Sequence, residues 1–158
     1  MKSALLLTTA LFLAVSGSAA TYRDSSGRVA GRTHQQGNRT IYRDGSGKMT
    51  GSAQKMGNQT IYRDSTGRIS GTAIQSGNRV IYRDGSGRTV GSSQKVGSQT
   101  IYRDSTGRLQ GTAISSGNRT LYRDGSGRFK GSSDPKSATP YRDSFGFKGS
   151  QKGNKKSR

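Results

Sequence analysis

The chain has 158 residues, a formal net charge of +19, 27% hydrophobic residues and neither cysteine nor tryptophan. The missing cysteine excludes a disulfide framework and a lipid-modified thiol, and the small apolar share excludes an ordinary aliphatic core. A positive balance of this size favours anionic partners.

Residues 1–20, "MKSALLLTTALFLAVSGSAA", read as a secretory signal: Lys2 opens it, Ala4 to Val15 are mostly apolar, and Ser18-Ala19-Ala20 offers small residues at a cleavage point after Ala20. The apolar run falls short of the roughly 20 residues a membrane helix needs. The expected location is therefore the periplasm or the exterior of a bacterial cell, with a mature chain from Thr21.

From there the sequence repeats. "TIYRDSTGRISGTAIQSGNR" at 60–79 returns as "TIYRDSTGRLQGTAISSGNR" at 100–119, and every tyrosine of the protein falls in the series Tyr22, Tyr42, Tyr62, Tyr82, Tyr102, Tyr122 and Tyr141. Such spacing marks stacked units that bury their apolar side chains against neighbours. Within a unit, Arg79-Val80-Ile81-Tyr82-Arg83 suits a strand, Asp84-Gly85-Ser86-Gly87 a turn, Arg68 to Ile74 a second strand, and Ser76-Gly77-Asn78 a second turn. One β-hairpin per repeat follows, and no segment carries a helical stripe. The predicted fold is all-β: six to seven tandem hairpins of about 20 residues in an elongated solenoid or meandering sheet, one repeat domain over 21–147.

Strand alternation puts Thr60 and Tyr62 on one face with Ile61 and Arg63 on the other. It also groups Ile69, Gly71 and Ala73 opposite Ser70, Thr72 and Ile74. The recurring Gly31, Gly51, Gly71, Gly91, Gly111 and Gly131 leave room for a tyrosine ring across the strand. The tyrosines are then structural. So are Asp44, Asp64, Asp84, Asp104 and Asp124, each fixing the turn it begins. A 40-residue period is superposed, since "RDGSG" follows Tyr42, Tyr82 and Tyr122 whereas "RDSTG" follows Tyr62 and Tyr102. The last unit brings the only prolines, Pro135 and Pro140, and residues 148–158 read as a basic, solvated tail.

The run "YRDSTGRISGTAIQSGNRTIYRD" resembles the YD repeats of bacterial Rhs and teneurin shells over residues 21–147. That resemblance implies hairpins coiled into a continuous sheet, serving as casing or surface display. The spacing is also similar to choline-binding and glucan-binding wall repeats, whose ligand cage depends on tryptophan. No position here supplies one, so no choline site is carried over.

Catalytic chemistry has little to work with. His34 is the only histidine, glutamate is absent, and the aspartates sit at turn starts beside arginine, so no catalytic residue, metal site or cofactor is expected. The cations after each turn are the candidates for binding: Arg28, Lys48, Arg68, Arg88, Arg108 and Arg128 form one row, with no acidic neighbour in sequence. Arg23, Arg43, Arg63, Arg83, Arg103, Arg123 and Arg142 form a second row, each beside an aspartate, and Arg39, Arg79 and Arg119 recur at the other turn. A regular array of guanidinium groups matches the regular phosphates or carboxylates of a polymer. The function expected is a structural or adhesive repeat protein binding an anionic polysaccharide, lipopolysaccharide or other cell-envelope polymer; a secreted effector or toxin-associated protein is the alternative. The secretory leader lowers the standing of nucleic acid, and exposed terminal strands would favour self-association.

Overall fold

In the computed structural model, residues 19–134 are described, and they hold twelve strands and no helix. The hairpins run β1 (Ala20–Asp24) with β2 (Val29–Gln36), β3 (Arg39–Asp44) with β4 (Met49–Met56), and β5 (Gln59–Asp64) with β6 (Ile69–Ser76). They continue with β7 (Arg79–Asp84) and β8 (Thr89–Val96), β9 (Gln99–Asp104) and β10 (Leu109–Ser116), then β11 (Arg119–Asp124) and β12 (Phe129–Asp134). Tyr141, Pro135, Pro140, the tail 148–158 and the leader up to residue 18 lie outside the described residues. Ala20, which the sequence places at the end of the leader, is the first residue of β1; it is buried, and its backbone N–H donates to Thr33 Oγ1 at 3.3 Å.

Every strand pairs antiparallel with its sequence neighbour, and β1 pairs with β12, so the sheet closes into a barrel. This corrects the expected open solenoid or meander. The seam has the same register as the internal joints: Tyr22 faces Ser133 and Asp24 faces Gly131, as Tyr122 faces Ala113 and Asp124 faces Gly111. Each of the six hairpins also carries a register shift just past its tyrosine, as between Tyr62 and Arg63. A bulge bends the strand and adds twist, and six such bends in one direction bring the ends together. Closure leaves neither terminal strand as an open edge.

The bulge also corrects one face assignment. Ser70 is the extra residue, so Ile69 pairs with Arg63 on the outside instead of following Gly71 and Ala73 inward. Ile69 is 49% exposed, while Gly71 and Ala73 are buried.

Both turn types follow from their residues. At the end joining odd to even strands, Asp24 N–H donates to Arg28 O and Gly27 N–H to Asp24 O, with Gly27 at φ 82°. That is a type I turn closed by a glycine bulge, and it recurs six times. At the opposite end the two-residue loops begin with Gly37, Gly57, Gly77, Gly97 and Gly117, at φ of 54–59°. Among the described residues no other residue type has positive φ, which fits a type II′ turn.

Twelve strands enclose a wide lumen unless side chains fill it. Here Tyr22, Tyr42, Tyr62, Tyr82, Tyr102 and Tyr122 fill it, each no more than 2% exposed. Small residues complete the interior, among them Ala53, Ala73, Ala113, Ser93 and Ser133. The phenols are also satisfied: Tyr82 Oη and Ser93 Oγ are 2.9 Å apart, and Tyr122 Oη and Ser133 Oγ are 3.0 Å apart. Burial pushes the Tyr82 hydroxyl well above its usual ionisation range, and the phenols of Tyr102 and Tyr62 add to it. Tyr122 is raised in the same way, with Tyr22 as the neighbour across the seam. The tyrosines thus form a continuous ring.

Candidate functional site

Each odd-to-even turn begins with an aspartate whose Oδ1 accepts three hydrogen bonds. For Asp24 the donors are Ser26 N–H at 2.9 Å, Ser26 Oγ–H at 2.7 Å and Arg28 N–H at 3.0 Å. The same trio surrounds Asp44, Asp64, Asp84, Asp104 and Asp124, with threonine replacing serine after Asp64 and Asp104. The hydroxyl two residues on is the main reason each carboxyl is held below the usual range. Charge-assisted bonds of this kind favour the ionised form. The carboxylates are thus committed to their own turns, as the sequence suggests.

These shifts set a pH dependence. A carboxyl whose folded pKa lies below its unfolded value of 3.8 contributes stability above that value, and the contribution is lost as pH falls through the folded pKa. The raised tyrosines act oppositely: their stabilisation is complete below the unfolded value of 10.0 and declines as pH rises beyond it. Thermal unfolding followed by circular dichroism should give a midpoint that is flat from about pH 5 to 9 and falls on both sides. A midpoint still rising as pH drops from about 4 to 3 would contradict the turn geometry.

The closed barrel turns the expected rows of cations into rings. Arg28, Lys48, Arg68, Arg88, Arg108 and Arg128 occupy the same position in six successive turns around one rim, and all are exposed. None makes a side-chain hydrogen bond or an ion pair among the described residues. Their backbone N–H groups hold the aspartates, so the turn is fixed while the cationic head stays in solvent.

The second row lies on the outer wall just behind this rim. Among its described members no guanidinium group pairs with the neighbouring aspartate, and Arg142 lies outside the described residues. Arg23, Arg43, Arg63, Arg103 and Arg123 each donate from Nη1 to the carbonyl of the turn glycine four residues on, at 2.9–3.1 Å. They brace the turn from the outer wall.

Arg39, Arg79 and Arg119 stand at the opposite end. Arg119 has an acid there that sequence neighbours do not show, with Nε 3.6 Å from Asp134 Oδ1, and it donates from Nη2 to Ser132 Oγ at 2.9 Å. That end also contains a recess of about 10 Å³ lined by Lys55, Asn58, Thr60, Ala73, Gln75 and Val80, which is room for about one water. His34 is an exposed residue of β2 opposite Ile41. Among the described residues no three His, Cys, Asp or Glu side chains lie together as metal ligands.

The sequence did not reveal the apolar residues that adjoin the rim. Ile69, Leu109 and Phe129 are 49%, 44% and 43% exposed on the outer wall, because the bulge turns them out. The described chain enters at Ala20 and leaves at Asp134, both at the end opposite this rim. Among the described residues the rim is built entirely of turns.

No known protein family matches the chain, and no curated protein resembles it in sequence. The architecture does have a counterpart: the X-ray structure of a protein from Arabidopsis thaliana is similar over 78% of this chain and 83% of that one, with a TM-score of 0.55 and 9% identity, a likeness of fold alone.

Proposed function

We propose that the protein is a secreted structural or adhesive module that attaches to an anionic polymer of the cell envelope through the cationic rim of its barrel. The observation that carries this reading is the ring formed by Arg28, Lys48, Arg68, Arg88, Arg108 and Arg128, exposed and, among the described residues, without a side-chain hydrogen bond or ion pair. A circle of like charges on rigid turns is costly to keep apart from counterions, and a polyanion that follows the circle releases those ions. Guanidinium groups suit phosphate and carboxylate alike. The apolar leader of residues 1–20 supports export, and the exposed turn cations support a binding face at the rim.

The test uses purified protein and a soluble polyanion such as heparin or polyphosphate, alongside isolated envelope fractions. Reversing Arg68, Arg88 and Arg108 to Glu should weaken binding at least about tenfold at ~0.1 M salt, where screening acts over about 10 Å. Arg39→Glu with Arg79→Glu, a reversal at the opposite end, should cost less than about threefold, since those charges lie well beyond a screening length. Affinity of the unaltered protein should fall steeply with salt. Equal losses from both sets of reversals, or binding indifferent to salt, would remove the rim from the explanation.

A further inference from the structure

The first hairpin departs from the others on its outer wall. In the other five a small hydroxyl residue of the even strand stands opposite the arginine that precedes the next turn around the ring, as Ser52 faces Arg63 and Thr72 faces Arg83. In β2 the same position holds Arg32, which faces Arg43, and both are exposed. No other two cations stand directly opposed in the described ladders. Like charges so placed weaken a sheet. Arg23 lies on the other side of Arg32, a diagonal neighbour two residues beyond Thr21, so three guanidinium groups span β1 to β3. Arg23 and Arg43 are braced, each donating from Nη1 to the carbonyl of its turn glycine, Gly27 or Gly47. Arg32 makes no side-chain hydrogen bond or ion pair among the described residues. The Oδ1 atoms of Asp24 and Asp44 are held by their own turns, and Asp134, across Thr21, pairs with Arg119. His34 follows Arg32 on the same face of β2, exposed and opposite Ile41.

We infer that Arg32, flanked by Arg23 and Arg43 and joined by His34, forms a binding site for an organic phosphate monoester on the outer wall. The site is distinct from the six turn cations and does not depend on their proposed role.

The number of charges selects the ligand. Directly opposed residues such as Arg32 and Arg43 have Cβ atoms about 5 Å apart, and diagonal neighbours such as Arg23 and Arg32 about 7–8 Å, so one tetrahedral group can accept from all three long side chains. A carboxylate or a phosphodiester brings a single negative charge and would leave most of the repulsion in place. A phosphate monoester carries about −1.5 to −2 at neutral pH and has three terminal oxygens. Guanidinium forks meet such oxygens in pairs of parallel bonds. The ladder fixes the backbone of all three arginines, and two of the side chains are already oriented by their turn glycines, so little order remains to be imposed on binding. His34 is a diagonal neighbour of Arg43 and offers a ring N–H to the same group. Ile41, beside it, is half-buried and gives the organic part of the ester an apolar surface.

The experiment titrates the protein, free of any histidine tag, with phenyl phosphate and follows the ring-proton resonance of His34, the only histidine in the chain. The resonance should shift saturably, and dimethyl phosphate and acetate, each singly charged, should bind at least about tenfold more weakly. Arg32→Ser or Arg32→Thr, the residues at this position in the other hairpins, should keep the parent circular dichroism and lose at least about tenfold in affinity. In phosphate-free solution the same variants should unfold at a midpoint about 1–3 °C above the parent, because the opposed charges are gone. Thr72→Arg in the Arg32→Ser background sets a guanidinium between Arg63 and Arg83, and calorimetry should show at least about threefold of the affinity regained. Lys95→Ser, which removes one charge from the opposite end of the barrel, should bind within about twofold of the parent. Parent-like binding by both Arg32 variants, an equal loss from Lys95→Ser, or equal affinity for dimethyl phosphate overturns the site. Tighter binding of inorganic phosphate than of phenyl phosphate overturns the ester and leaves a site for the free anion.

Discussion

Replacing Tyr82 by alanine should lower the stability of the barrel by about 3–5 kcal/mol, the range for removing a fully buried aromatic ring. Tyr82 is 1% exposed, lies between the phenols of Tyr62 and Tyr102, and shares a hydrogen bond of 2.9 Å with Ser93. Alanine would remove the ring that fills its sixth of the lumen. Its neighbours are fixed by the register on both sides, so the gap cannot close without bending strands that are paired around the whole circle. Tyr82→Phe separates packing from polarity: it keeps the ring, leaves Ser93 Oγ without its partner, and should cost about 1–2 kcal/mol. Urea unfolding monitored by circular dichroism gives both values. An outward alanine substitution such as Thr72→Ala should stay within about 0.5 kcal/mol. A Tyr82→Ala loss no larger than that would mean the tyrosines do not hold the lumen.

Gly71→Ala should be nearly as damaging, for a different reason. A Cβ on Gly71 would stand 2.5 Å from the carbonyl oxygen of Arg83 in the adjoining strand. Gly31 meets Arg43 in the same manner at 2.7 Å, and Gly131 meets the carbonyl of Arg23 across the seam. These are backbone atoms held in a ladder, with no rotamer to change, so the strands themselves must separate. The expected loss is about 3 kcal/mol, the upper end of the overpacking range. Ser70→Ala, one residue earlier at the bulge, should be neutral or slightly stabilising, because the buried Ser70 Oγ has no hydrogen-bond partner among the described residues. Hydrogen exchange at β6 and β7 would locate the damage. Equal stabilities for Gly71→Ala and Ser70→Ala would contradict the close approach.

The tight contact refines what the sequence conveys about these glycines. Their opposition to tyrosine was readable from the period, and Tyr62 does face Gly71. The carbonyl that forbids a side chain comes from the other neighbour, which no local pattern reveals. The same division runs through the fold. Turn chemistry was legible because Asp64, Thr66 and Gly67 act within a few residues of one another. Tyrosine burial was legible because alternation is a property of one strand. Closure was not, because it depends on the sum of six small bends, and the same hairpin can be extended in a line or wrapped into a circle. Ile69 was assigned to the wrong face because a single extra residue, Ser70, reverses alternation, and serine carries no mark of a bulge. At the candidate site the six cations were evident from their spacing, whereas the apolar band depends on that same unseen reversal.

The 40-residue period also acquires a physical basis. In the "RDGSG" turns a Cβ on Gly45, Gly85 or Gly125 would fall 2.5–2.8 Å from the carbonyl of Val29, Ile69 or Leu109 in the preceding hairpin. The alternate turns carry Ser25, Ser65 and Ser105 at that position, so they have space their neighbours lack. The rim therefore has threefold symmetry more closely than sixfold.

The equivalence of the β1–β12 seam with every internal joint constrains how such a gene can change. Tandem repeats lose and gain units readily through unequal recombination, and a linear array would tolerate either. A closed ring would not. Losing one hairpin shrinks the circumference around the remaining tyrosines, and gaining one opens a lumen they no longer fill. The number of hairpins in the described barrel is consequently part of its structure, the six of them matched to the size of a phenol.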